Sequence, residues 1–187
     1  MEFVTILIFV IAFVVYGIMI YNQLIAGRTH TEEAWSGIDV QLKRRHNLIP
    51  NLVETVKGYA THEQKTLENV IAARQGAVEQ SGGASATAQS EGILTQALGR
   101  LFALSEAYPD LKASENFQNL QAELSELEDE IQMSRRFYNG TVRDYNIKVE
   151  SFPSNLVANQ FKFSKAEFFE LDPAEAAAVK QVPKVDF

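Results

Sequence analysis

Cysteine is absent from the 187 residues, which excludes disulfides, thiolate metal sites and cysteine nucleophiles. Histidine is scarce: His30, His46 and His62 are the only three, and no two share a helical turn. Each reads as a surface or capping side chain rather than a metal ligand. His62-Glu63 opens like a zinc-protease helix, but that chemistry needs a second histidine four residues on, and the position holds Thr66. No glycine-rich loop is built to cradle phosphate, and no nucleophile, base and orienting group stand in register. Positive charge is also short. The formal net charge of −7 argues against nucleic acid, whose binding needs a basic surface to release counterions. It argues equally against a broad basic patch lying on anionic lipid. No segment alternates convincingly like a strand. The residues therefore point to no enzyme and no cofactor.

What the chain does have is a long apolar run. Phe3 to Tyr21 carries no charged side chain, and about 19 residues at ~1.5 Å rise give a helix of roughly 28 Å, close to the ~30 Å bilayer core. A cleaved secretory signal has a basic leader, a shorter apolar stretch and a small-residue cleavage site. Here only Glu2 precedes the run and Ala26-Gly27 is a poor cleavage signal, so the run reads as an uncleaved anchor in contact with the lipid bilayer. Basic residues follow it, at Arg28 and then Lys43-Arg44-Arg45, and none precedes it. That bias places the N-terminus outside and the remainder in the cytoplasm. Tyr16 and Tyr21 suit the headgroup level.

Beyond the anchor the pattern is helical. Thr29 or Thr31 can cap a start, with Glu32 and Glu33 in the first turn. Trp35, Ile38, Leu42 and Ile49 make one stripe. Pro50 removes a backbone donor and crowds the carbonyl of His46, which predicts a kink or restart. Leu52, Val53, Val56, Leu67, Val70, Ile71 and Val78 continue an apolar face. The small, polar stretch from Ser81 to Ser90 reads as a mobile connector, unless its alanines extend a helix. A shorter helix carries Ile93, Leu94, Ala97, Leu98, Leu101 and Phe102, and Tyr108-Pro109 ends it. Then Phe117, Leu120, Leu124, Leu127, Ile131, Ser134, Tyr138, Val142, Tyr145 and Val149 step by threes and fours, a seam of the coiled-coil kind. A helix of about 38 residues needs a partner along its length, and the one around Pro50 is the candidate. The fold class expected is all-α: an N-terminal transmembrane helix followed by an elongated antiparallel bundle of long helices. Residues 1–27 form the anchor, 28–170 the bundle and 171–187 a loosely ordered C-terminal tail.

Two features suggest interaction. Lys43, Arg44 and Arg45 form the densest basic stretch and read either as a solvated helix face or as a docking surface for an acidic helix. The acidic run from Glu123 to Glu130 could be that partner, in this chain or another. Phe161, Phe163, Phe168 and Phe169 are more aromatics than a solvated tail needs, so that segment should pack on the bundle or on a neighbouring subunit. Tyr138-Asn139 and Tyr145-Asn146 repeat seven residues apart; the tyrosines suit the core, and the asparagines could fix register or subunit number.

The run from Ala34 to Arg45, followed by Asn47-Leu48-Ile49-Pro50-Asn51-Leu52-Val53, resembles the LemA family of bacterial membrane proteins. So do Val56-Lys57-Gly58-Tyr59-Ala60 with His62-Glu63, Tyr108-Pro109-Asp110-Leu111-Lys112-Ala113, Arg135-Arg136, Tyr138-Asn139, Tyr145-Asn146 and Phe152-Pro153. The resemblance runs from the anchor to about Phe169; where the family often carries Asp, this chain has Asn47. It implies a single-pass protein of the bacterial inner or plasma membrane with a long-helix bundle and no established catalytic activity. It also implies relatives among the proteins of magnetosome membranes and family members often encoded beside a membrane zinc protease. The functional expectation is a membrane-anchored scaffold that forms a homo-oligomer. The alternative is a sensor or adaptor module that binds a ligand or another membrane protein, such as a protease.

Overall fold

The structure, a computed structural model, describes residues 1–170; the expected C-terminal tail, 171–187, lies outside the described residues. Among the described residues every regular element is a helix: α1 (Glu2–Lys57), α2 (Gln64–Glu79), α3 (Ala84–Ser105), α4 (Pro109–Lys112), α5 (Glu115–Glu150) and α6 (Ser154–Gln160).

Helix α1 absorbs two expected boundaries. It needs no cap at Thr29 or Thr31, because it already runs through them, and the Thr31 hydroxyl donates back to the Gly27 carbonyl at 3.0 Å. It also continues through Pro50 without restarting. The Ser81–Ser90 connector shrinks as well: α3 begins at Ala84, since alanine is the best helix former and outweighs the serines around it. Tyr108 is non-helical (φ −123°, ψ 85°), since the α region is disfavoured before proline, and Pro109 opens the single turn of α4. Ser114 accepts the first bond of α5, from the Gln118 amide at 3.0 Å.

The chain divides into two compact units. The first holds Met1–Ile38 and Ser134–Ala166. Within it the apolar side chains from Phe3 to Met19 are exposed, and packing starts at Ile20. Here α5 runs antiparallel to α1. Tyr138 meets the Trp35 ring at 5.4 Å between centroids. Further along, Gly27 leaves room for Tyr145, whose Cδ2 would lie 3.1 Å from a Cβ there. Ile20, Leu24, Tyr145, Val149 and Ala158 form the core, with Phe163 against it.

The second unit holds Asp39–Met133 together with the described residues from Glu167 onward. Its core joins Ile49, Leu52, Val53 and Val56 of α1 to Leu67 and Val70 of α2, Leu94, Leu98 and Leu101 of α3, Leu111 of α4, and Phe117 and Leu124 of α5. Each such side chain contributes about 1.5–3 kcal/mol on burial. Ile71, Val78 and Ile93, expected on the apolar face, are exposed; Ala97 is buried as expected, and Ala77, which was not expected, is buried too.

Candidate functional site

The most constrained polar site lies inside the second unit and starts from Pro50. In a helix, residue 50 would donate its N–H to the carbonyl of residue 46; proline has none. The His46 carbonyl is satisfied from another helix: Arg74 of α2 donates its Nε–H to it at 2.8 Å. The sequence defect and the helix partner that repairs it are thus one feature, which is how α1 passes Pro50 unbroken.

Around that carbonyl sits a buried ionic cluster. His46 Nε2 lies 2.6 Å from Glu91 Oε1 of α3. An ionised carboxylate can only accept, which puts the hydrogen on Nε2. Arg45 Nη1 lies 3.5 Å from Glu91 Oε2 and 3.3 Å from Glu128 Oε2 of α5. Its Nη2 donates to Thr95 Oγ1 at 2.8 Å. Arg45 and His46 are only 5% and 8% exposed and Glu91 is 5%. One guanidinium, that of Arg45, faces the two carboxylates of Glu91 and Glu128, and His46 shares the Glu91 carboxylate. Buried ions carry a large desolvation cost, and such a set specifies which helices meet and in what register more than it stabilises them. The buried residues hydrogen-bond one another.

Each expected site residue can now be placed. Of the basic stretch, Arg45 is not a surface residue at all, because its guanidinium is used up by Glu91, Glu128 and Thr95. His46 likewise is neither surface nor cap. Lys43 and Arg44 are exposed: Lys43 pairs with Asp39 at 2.6 Å, and Arg44 with Glu130 at 3.1 Å. The acidic stretch therefore meets the basic one within the same chain, through Glu128 and Glu130. His30 is exposed and 3.2 Å from Glu33; His62 is exposed too. Of the seam, Phe117, Leu124, Leu127, Ile131, Tyr138, Val142, Tyr145 and Val149 are buried and Leu120 is half-buried.

The phenylalanines separate. Phe161 and Phe163 pack edge-on against Tyr21 in the first unit, at 4.8 and 5.7 Å, and the Arg28 guanidinium stands 5.6 Å over the Phe163 ring. Phe169 is buried in the second unit, and Phe168 is partly exposed. Asn146 was expected to set register between helices. It instead ties down the segment after α6, donating Nδ2–H to the Ala166 carbonyl at 2.9 Å and accepting the Ala166 N–H at 2.8 Å. The Tyr145 hydroxyl donates to the Ser164 carbonyl at 3.0 Å. Burial pushes the Tyr145 pKa above 10; Arg28 opposes the rise and Glu32 adds to it. At Tyr108 burial again raises the pKa, helped by the Glu63 carboxylate 3.2 Å away.

Sequence reasoning missed Arg74, Glu91 and Thr95. The spacing of His46 and Pro50 was the available signal that a donor had to come from elsewhere. It also missed a groove of about 610 Å³ between α2 and α3, bordered by Asn69, Ala73, Gln89, Ile93, Gln96 and Arg100. Among the described residues no three His, Asp or Glu are placed to hold a metal ion.

These features define a membrane-associated all-α protein, with one N-terminal helix long and apolar enough to cross a bilayer and a helical part organised by a buried polar cluster. The chain belongs to the LemA family, which it matches over residues 34–187. It is 31% identical over 190 residues to magnetosome protein MamQ 2 of Paramagnetospirillum magneticum, covering 88% of this chain and 70% of that one. It is 27% identical to magnetosome protein MamQ of Magnetospirillum gryphiswaldense, covering 88% and 70%. Protein LemA of Metamycoplasma hominis is 27% identical over 158 residues, covering 84% and 72%.

Proposed function

We propose that the protein is a single-pass, membrane-anchored helical scaffold that assembles with further copies of itself and organises membrane or membrane-protein partners. The carrying observation is α1: it exposes apolar side chains from Phe3 to Met19, then continues as the same helix into packed structure. An apolar surface of that extent needs lipid or protein over it. The membrane is the bacterial inner or plasma membrane, and the basic residues after the apolar run favour an N-terminus outside and the packed helices in the cytoplasm. Relatives named as magnetosome proteins fit an organising role of this kind. Because the seam side chains are buried within the chain, copies meet through other surfaces. Lys43, Arg44 and the faces of the anchor are the candidates, aided by the high effective concentration of tethered molecules. Native mass spectrometry of the full chain released from lipid nanodiscs tests this: discrete multimers support the scaffold, and monomers alone reject it.

The exposed Lys43 and Arg44 favour a second reading, a partner- or ligand-binding module. Reversing Lys43 and Arg44 to Glu while leaving the buried Arg45 intact should abolish co-purification of a membrane-protein partner. Unchanged co-purification would count against this reading.

A further inference from the structure

We propose that the turn between α5 and α6, with α6 itself, is a second membrane contact: Phe152, Leu156 and Phe161 enter the lipid interface beside the point where α1 leaves the bilayer. The proposal rests on the reading of α1 as a membrane span.

Three observations from the first unit carry it. The first is position. Helix α5 runs back along α1 toward the apolar segment, with Tyr138 beside Trp35 and Tyr145 beside Gly27. Val149 then shares a core with Ile20 and Leu24. Helix α6 lands at the same level, with Ala158 in that core and the Phe161 ring 4.8 Å from Tyr21. Tyr21 closes the apolar run, followed by the polar Asn22 and Gln23 and, at Arg28, the first charge. The turn and α6 therefore sit where hydrocarbon gives way to headgroups, not a helix-length away.

The second observation is exposure. Phe152 is 79% exposed, Leu156 60% and Phe161 58%. The same short segment buries Ala158 and ties its end to α5 through Asn146 and Tyr145. A segment fixed in this way could have turned three large apolar side chains inward, yet it holds them outward. A cluster of that kind with a polar rim marks a contact surface, and an apolar face lying in the headgroup zone is how short amphipathic segments bind bilayers.

The third observation is the rim. Lys162 is exposed, and no ion pair engages it among the described residues. Lys165 is paired with Glu150 at 2.9 Å and Arg28 with Glu32 at 3.8 Å. Long lysine stems reach phosphate while their methylenes stay in the apolar zone. The net charge of −7 argues against broad electrostatic adhesion, so the contact is an apolar wedge with Lys162 as a local phosphate-reaching cation. Continuity with the span selects lipid over a second copy as its occupant.

The absence of cysteine makes the test clean. Single cysteines replacing Phe152, Leu156, Phe9 or Glu33 are introduced into the full chain. Each is labelled with an environment-sensitive fluorophore and reconstituted in vesicles of phosphatidylcholine and phosphatidylglycerol carrying spin-labelled lipid quenchers at shallow or deep positions. Phe9 lies within the run, and Glu33 lies twelve residues past Tyr21, about 18 Å along α1. The proposal expects shallow quenchers to remove about half or more of the signal at 152 and 156, deep quenchers to act at 9, and neither to act at 33. Quenching at 9 with water-exposed, unquenched labels at 152 and 156 overturns the wedge and leaves the span standing. No quenching at 9 overturns the span and the wedge with it. Protection at 156 that disappears when the protein is diluted in the bilayer assigns the surface to a second copy and also overturns the proposal.

Discussion

Replacing Arg74 by Met removes the side-chain donor that reaches the His46 carbonyl, while the methionine stem keeps most of the packing. A hydrogen bond from a charged donor to a buried acceptor contributes about 1.5–3 kcal/mol, and the orphaned acceptor loses that in full. For a chain of this size, about 2–4 °C of melting temperature accompanies each kcal/mol, so Arg74→Met should lower the melting temperature by roughly 3–12 °C. The sharper expectation is conditional. In Pro50→Ala the helix regains its own N–H at residue 50, and the His46 carbonyl is satisfied whether or not Arg74 is present. In that background Arg74→Met should cost less than about 0.5 kcal/mol, an interaction energy of at least about 1 kcal/mol across the double-mutant cycle. Thermal and urea melts by circular dichroism, with detergent and lipid held constant, measure all four proteins. Equal cost of Arg74→Met in both backgrounds would refute the repair of Pro50 by Arg74.

Glu91→Ala leaves Arg45 and His46 buried without their shared carboxylate and should cost about 3–5 kcal/mol; a melting temperature within a degree of the parent would sink the reading of a closed ionic cluster. Asn146→Ala removes both bonds to Ala166 and should cost about 1–3 kcal/mol, seen as faster amide exchange at residues 164–166 while α3 stays protected. Tyr145 titrates above its unfolded value of 10, so the folded state holds the proton longer. The stability it contributes is complete below pH 10 and fades as the pH rises through its folded value. Tyr145→Phe should flatten that alkaline loss, and an unaltered slope above pH 10 would contradict it.

The helical class, the apolar N-terminal helix and most of the buried positions were legible in the sequence, because they follow from periodicity over long windows. Val142, Leu124 and Phe117 need no more than spacing by threes and fours to be placed inside. What failed to show is what depends on a second element. Pro50 looks like a break when α1 is read alone, and only the arrival of Arg74 from α2 removes the cost. Arg45 and Arg44 are adjacent and chemically alike, yet the 100° turn between neighbouring helix positions puts one in the interior and leaves the other in water. Glu91 lies in a stretch of serine, glycine and alanine, with nothing local to mark it as the hub of a cluster. Asn146 on a helix seam reads as a register device until the returning segment at Ala166 is seen to use both ends of its amide.

The central claim is a membrane-anchored protein that works as an assembly. Single-molecule photobleaching of the full chain, carrying one fluorophore per copy and held at low density in native membranes, tests it most directly. The account predicts that most spots bleach in several discrete steps with a preferred number. Spots that bleach in a single step across the accessible density range would contradict it.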